Sequence, residues 1–249
     1  MSVEAPNHIK LGSNGVAITP IQPNDTGLFS ALFNQASNNI APQPPQSPKI
    51  STVWFEFHGA SNQNKDAALE TMGSLKQNAL LKFSHVSNSQ HQALTDVLQQ
   101  LKSTDKVKHL IIRQSNLQHH HLQTIGEVLK QNNGLAWLVL DHNKIDDRGV
   151  RHLADGLKEN NTVKHVVLSH NMIQNEGAES MAHAILKNSS IETLWLNQNH
   201  IGDEGVRRLL SAANKSGNIK VVDVSNNQTS YQEKQCILNN NEWNTRIYV

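Results

Sequence analysis

The sequence predicts an α/β solenoid, about seven strand–helix units of 28 residues stacked into one parallel sheet backed by helices. The first observation is an interval: Val107, Leu135, Val163, Ile191 and Ile219 succeed one another at a constant spacing of 28. The second is an alternation after each of them. Apolar residues recur three and five places later, as Leu110/Ile112, Leu138/Leu140, Val166/Leu168, Leu194/Leu196 and Val222/Val224. Alternation over so short a run is the period of a strand with one face buried. The third is a change of period further on: Val150, Leu153 and Leu157 are matched by Ala178, Met181 and Ile185, then by Val206, Leu209 and Ala213. That is the spacing of one helix face. Strand then helix at a fixed interval is how a solenoid is written.

The punctuation between these elements also repeats. Asn143, Asn171, Asn199 and Asn227 occupy one position just after the strand. A side-chain amide there both donates and accepts, so a stack of them can satisfy the turns of neighbouring units. Acidic residues mark the helix starts (Asp146 and Asp147, Glu176, Asp203 and Glu204), which suits capping and the helix dipole. Gly149, Gly177 and Gly205 come next, as expected where the first helical turn packs closely. Each helix then ends in an Asn/Lys/Ser/Gly cluster that reads as a stop.

The resulting pattern, LxxLxLxxNxIxxxGxxxLxxxL, resembles the ribonuclease-inhibitor-like class of leucine-rich repeats. That resemblance implies a horseshoe with a concave parallel sheet and convex helices. Four repeats from 135 onward match well, the last losing the motif after Asn227. The 107 repeat departs from it, with Ser115 for the asparagine and His121 for the glycine. Two further repeats are inferred from strands at Val53/Phe55 and Leu81/Phe83, with helices near 64–77 and 91–102. A one-residue slip separates Leu81 from Leu110. The resemblance covers about 50–228.

Outside the repeats, 1–49 reads as an N-terminal cap and 229–249 as a C-terminal one, since a solenoid leaves its terminal cores exposed. Residues 8–21 suggest a hairpin around Asn14-Gly15, 24–37 a helix capped by Asp25 or Thr26, and 38–49 a Pro/Gln linker. At the other end 229–240 is a helix candidate and 246–249 a last strand.

Composition excludes several functions. Twenty-two basic residues against 21 acidic ones leave a net charge of +1, so bulk electrostatics favours neither nucleic acid nor an anionic membrane. No stretch approaches the roughly 18 apolar residues of a membrane span. The single Cys236 rules out an internal disulfide framework and points to a reducing, cytoplasmic compartment. Placed on a terminal helix, it reads as a buried or capping thiol. There is no phosphate-binding glycine motif and no HExxH, so neither catalysis nor a cofactor is expected.

Function should then lie in the residues that vary. Alternation sends one set of strand side chains away from the helices, and parallel stacking lines them up in columns. The middle column reads Trp54, Lys82, Ile111, Val139, Val167, Trp195, Asp223; the column before it includes His109, Trp137 and His165; the column after it includes Arg113 and Asp141. Three of the four tryptophans fall here, beside branched apolar residues and edged by Arg113, Asp141 and histidines, as in the centre of a protein interface. Rings lying flat on their neighbours are the competing reading, and Trp54 depends on the register of its strand. His142 and His170 share one position in adjacent repeats, near Asp141 and in the column of His85, but no tight ligand set accompanies them, and no metal site is expected. His119, His120 and His121 read as a turn, while His109 and His165 could make partner binding depend on pH.

The expected function is therefore non-covalent recognition of a partner protein by a monomer. The repeat class also implies two finer readings. Stand-alone repeats of this kind with an Asn/Gln/Lys/His-rich composition resemble effectors that bacteria such as Legionella deliver into host cells. Those of the Ran GTPase-activating protein are similar too, although this chain is shorter and lacks its acidic tail.

Overall fold

In the computed structural model the described residues are 75, 77–240 and 244–249, together with the backbone of 9–10, 17–18 and 52–55. The helices expected at 24–37 and near 64–77, and the linker at 38–49, lie outside them. Two short strands, β1 (Ile9–Lys10) and β2 (Ala17–Ile18), pair antiparallel with Ile9 opposite Ile18.

The remaining strands are β3 (Thr52–Phe55), β4 (Ala79–Ser84), β5 (Val107–Arg113), β6 (Trp137–Val139), β7 (His165–Val167), β8 (Thr193–Trp195), β9 (Val221–Asp223) and β10 (Arg246–Tyr248). They form one eight-stranded sheet in strict chain order, parallel throughout. Helices α1 (His91–Gln100), α2 (His119–Gln131), α3 (Asp147–Leu157), α4 (Asn175–Lys187), α5 (Asp203–Ser216) and α6 (Tyr231–Asn239) connect the strands from β4 onward. A strand can be joined to a parallel neighbour only through a crossover, and among the described residues each crossover from β4 onward carries one α-helix of 9 to 14 residues.

Between the two layers lies one continuous core. Leu110, Leu138, Val166, Leu194 and Val222 from the strands meet Ile125, Leu153, Met181 and Leu209 from the helices, all fully buried. The slip between Leu81 and Leu110 is taken up at Lys108: Ala79 pairs with Val107 but Leu80 with His109, so Lys108 bulges out of the ladder. Helices α1 and α2 nevertheless start 28 residues apart, at His91 and His119.

The expected amide stack is present and runs along the strand ends. Asn171 donates through Nδ2 to the carbonyls of Leu140 (3.0 Å) and Leu168 (2.9 Å). Its Oδ1 accepts the N–H groups of Asn143 and Ile145, both at 3.0 Å. Asn143, Asn199 and Asn227 repeat parts of this pattern, and Ser115 makes the reduced version open to a hydroxyl, accepting from Val86 N–H.

A second stack lies inside the clusters read as helix stops. Asn132, Asn160 and Asn188, again 28 apart, are buried. Each donates to two carbonyls of the preceding unit: Asn160 to Leu129 (2.8 Å) and Asn132 (3.1 Å), Asn188 to Leu157 (2.7 Å) and Asn160 (2.6 Å). Each also accepts N–H groups from the segment leading into its own next strand, as Asn160 does from Thr162 and Val163.

Capping differs from the expectation in one respect. Asp146 caps its own helix, accepting Gly149 N–H at 3.0 Å. The next residues along serve the following unit instead. Asp147 accepts from Gln174 N–H (2.7 Å), Asn175 from Gly202 N–H (2.9 Å), and Asp203 from Ser230 N–H (2.6 Å). Stacking brings the first turn of one helix under the start of the next, so a short acceptor reaches an orphan donor across the boundary.

The glycines leave room for this arrangement. A Cβ on Gly177 would stand 2.5 Å from Asp147 Oδ1, and one on Gly205 would stand 2.7 Å from Asn175 Oδ1.

Two sequence expectations are corrected at the chain's polar residues. His119, His120 and His121 open α2 rather than forming a turn, because Gln118 and His121 make a reciprocal capping box that nucleates the helix. Cys236 is exposed, not buried: α6 turns only Ile237 fully into the core, and the neighbouring residue on a helix points about 100° away.

Candidate functional site

The strand register assembles the expected columns. Trp54, Lys82, Ile111, Val139, Val167, Trp195 and Asp223 face one another in successive pairs, as do Leu80, His109, Trp137, His165 and Thr193. Trp54 thus takes the register of the Lys82 column; its side chain lies outside the described residues.

The apolar members form a layer of their own, separate from the core beneath. Leu80, Ile111, Val139, Val167 and Trp195 pack together, with Trp137 half-buried against them. The solvent-facing apolar patch expected here is instead almost closed: Val139 keeps 2% of its surface exposed, Val167 1% and Trp195 6%. Flat packing of the rings accompanies the closure. Trp137 stacks on His165 at 3.8 Å between centroids, and Trp195 lies nearly parallel to Trp137 at 6.2 Å. His109 completes the row 6.2 Å from Trp137. An indole spans more than one strand spacing of about 4.8 Å, so it covers a neighbour's valine.

His165 is fixed further by a 2.8 Å hydrogen bond between its Nδ1 and Thr193 Oγ1, a contact between adjacent strands that no sequence motif announces. Burial pushes the pKa of both His109 and His165 down to about 4, with Lys108 adding to the effect on His109. Between pH 6 and 7.5 both rings are therefore neutral, and the pH-sensitive binding considered from sequence is not expected in that range.

Their titration acts on stability instead. The unfolded chain takes up these protons near pH 6.5, whereas the folded one resists them until about 4. Stability is thus complete above pH 6.5, falls as the pH drops towards 4, and levels off below. Each ring is expected to account for about 1–2 kcal/mol of that loss, allowing for its partial exposure. Urea midpoints along this pH range test it: His165→Gln should flatten the slope, and an unchanged slope would refute the assignment.

The polar edge is an ion-paired cluster. Arg113 donates to Asp141 Oδ2 through Nε (2.8 Å) and Nη2, and His142 donates to the same oxygen through Nδ1 at 2.9 Å. Asp141 is 3% exposed, and its Oδ1 has no hydrogen-bond partner. His142 and His170 stack face to face at 3.8 Å and 17°. Lone pairs lie in the ring planes, so parallel rings direct them side by side rather than towards one ion. Among the described residues no group of three or more His, Cys, Asp or Glu is placed to hold a metal.

The structure therefore brings Trp137, Trp195, His109, His165, Val139 and Val167 into one layer, with Arg113 and Asp141 paired at its edge. Sequence reasoning puts Leu80 and Thr193 in the column of His109, Trp137 and His165, but it does not anticipate Thr193 as the hydrogen-bond partner of His165.

A parallel sheet grown one strand per 28-residue unit, backed by helices and stitched by stacked asparagines, is a leucine-rich-repeat solenoid. Residues 159–182 and 187–210 match the family described as Leucine Rich repeat. No curated protein matches the chain. Among solved structures, Leiomodin-1 Actin-Binding Site 2 (ABS2) is similar over 59% of this chain and 86% of that one, with 17% identity and a TM-score of 0.48. No described helix is long and apolar enough to cross a membrane.

Proposed function

We propose that the chain is a protein-interaction module whose partner docks on the sheet face turned away from the helices, around Trp137 and the Arg113–Asp141 pair. The observation that carries this reading is the aromatic layer itself. Solenoid cores are filled from the helix side, so Trp137, Trp195 and His165 on the opposite face add nothing to that core. Large rings held rigid by stacking, beside a desolvated ion pair, are the composition of binding hot spots. Trp54 and His109 would extend the contact along the same columns, while Val139 and Val167 support the rings from beneath. The repeat pattern and the abundance of Asn and Gln favour the ribonuclease-inhibitor-like class and, within it, an effector of the Legionella type that acts on a host protein. Binding by a monomer requires no chemistry from the chain and no cofactor.

Quantitative capture from eukaryotic and bacterial lysates tests the proposal. The wild type is compared with Trp137→Ala/Arg113→Ala, chosen because both side chains are partly exposed, and with Leu186→Ala on the helix side as a control. A protein held by the wild type and the control should fall by at least about tenfold with the double variant. Equal capture by all three would move the interface elsewhere. Accelerated nucleotide turnover by a captured GTPase would favour the GTPase-activating alternative.

A further inference from the structure

We propose that the unit spanning 107–134 is an acid-sensitive break in the solenoid, at which protonation of His121 releases the start of α2 and parts the units before it from those after it. His121 stands where the following units have Gly149, Gly177 and Gly205, and its side chain is fully buried. Its Nδ1 accepts the N–H of Gln118 at 2.9 Å, so this nitrogen carries no proton. Its Nε2–H then points to the carbonyl of His91, 3.4 Å away. An imidazole thus does the work that glutamate or glutamine does in an ordinary capping box, and unlike those it can be converted from acceptor to donor. A proton on Nδ1 would set one N–H against another inside the protein.

Beyond the distant carbonyl of His91, the surroundings offer a charged His121 no negative partner. The rings facing His121 are those of His91 on α1, 4.5 Å away, and His120 on its own helix, 3.8 Å away. His119 is engaged with Asp146 of the next unit at 3.0 Å, and that carboxylate also caps Gly149. Burial, reinforced by His120 and His91, lowers the pKa of His121 to about 4. In the same unit Ser115 stands in for the ladder asparagine, and its carbonyl is the acceptor for His91 Nε2 at 3.1 Å. Units of a solenoid contact only their neighbours, so a weakened interior unit can open while those beyond it remain folded.

Amide hydrogen exchange on the whole chain, expressed as protection factors at about pH 7 and about pH 4.5, tests the break. Amides of 118–134 should lose at least about tenfold more protection on acidification than those of 163–216. His121→Gln keeps an acceptor for Gln118 and has no proton to gain, so it should abolish the selective loss while leaving protection at neutral pH unchanged. Uniform loss along the chain, or selective loss that persists in His121→Gln, overturns the proposal. Should that variant fold poorly, the NMR titration of the His121 ring in the wild type decides. Its midpoint must coincide with the loss of protection in 118–134, and a midpoint about one pH unit or more away refutes the mechanism.

Discussion

Asn171→Ala is expected to destabilise the protein by about 3–5 kcal/mol, a large effect for a single substitution at a polar residue. The side chain is buried and fully used. Nδ2 serves the carbonyls of Leu140 and Leu168, and Oδ1 takes the N–H groups of Asn143 and Ile145. Alanine removes every one of these bonds and leaves buried backbone donors and acceptors in a space that the methyl cannot fill. The orphaned groups matter more than the lost bonds, since each buried unpaired group costs about 1–3 kcal/mol. Asn171→Ser should fall between wild type and alanine, because Ser115 shows that a hydroxyl at this position can hold part of the ladder. Urea unfolding monitored by far-UV circular dichroism measures the series; a loss below about 1 kcal/mol for alanine would show that the turns are held by something else.

Gly156→Ala is expected to cost about 2–4 kcal/mol, against the sign that helix propensity alone would give. In an isolated helix the change should stabilise by roughly 1 kcal/mol. Here α2 and α3 touch backbone to backbone: a Cβ on Gly156 would lie 2.4 Å from the carbonyl oxygen of Gly126 and 2.8 Å from its Cα. A Cβ on Gly126 would in turn meet His152 O at 2.3 Å. Backbone cannot swing aside as a side chain can, so the helices must separate and the core beneath Leu153 and Ile125 must loosen. Gly202→Ser is the control, because the nearest atom to its Cβ is 3.4 Å away and serine suits the N-cap it occupies. Thermal melts should show a marked drop for Gly156→Ala and little change for Gly202→Ser. Equal melting temperatures would mean that the two helices are not in contact as described.

Legibility in the sequence depended on repetition of a letter. Strands, helices and their order were legible because apolar periods of two and 3.6 recur at a constant interval, and the Asn143 ladder because one letter holds one place. The second ladder has the same spacing, but Asn132, Asn160 and Asn188 sit among other asparagines, and nothing local separates the structural ones from the solvated ones. The cross-unit caps were hidden because the position is filled by Asp147, Asn175 and Asp203 in turn. Their common property is geometric reach, not identity. Gly126 and Gly156 are 30 residues apart and so fall outside the period altogether.

The candidate site was legible in its columns and not in its exposure. Alternation placed Val139, Val167 and Trp195 away from the helices, and the register agrees. Whether they are open to solvent depends on how the rings of Trp137, His165 and Trp195 lie across their neighbours, a matter of rotamers on adjacent strands that no linear pattern encodes. Likewise the pairing of Arg113 with Asp141 joins residues 28 apart in the chain, and only the parallel register makes them neighbours.

Both asparagine ladders reach back over the same length of chain: Asn171 to Leu140 and Asn160 to Leu129 are each separated by 31 residues. Between them they gauge the two units spanning 135–190 twice, once near the strand end and once near the helix end. An inserted or deleted residue between a donor and its acceptor would pull the rungs that span it out of reach. A duplicated or excised block of 28 would leave each rung with an equivalent carbonyl to find. The gene for such a chain can therefore change length by recombination between its own repeats far more readily than by small insertions. The bulge at Lys108, absorbed before α2 begins, marks how little latitude lies between those two outcomes.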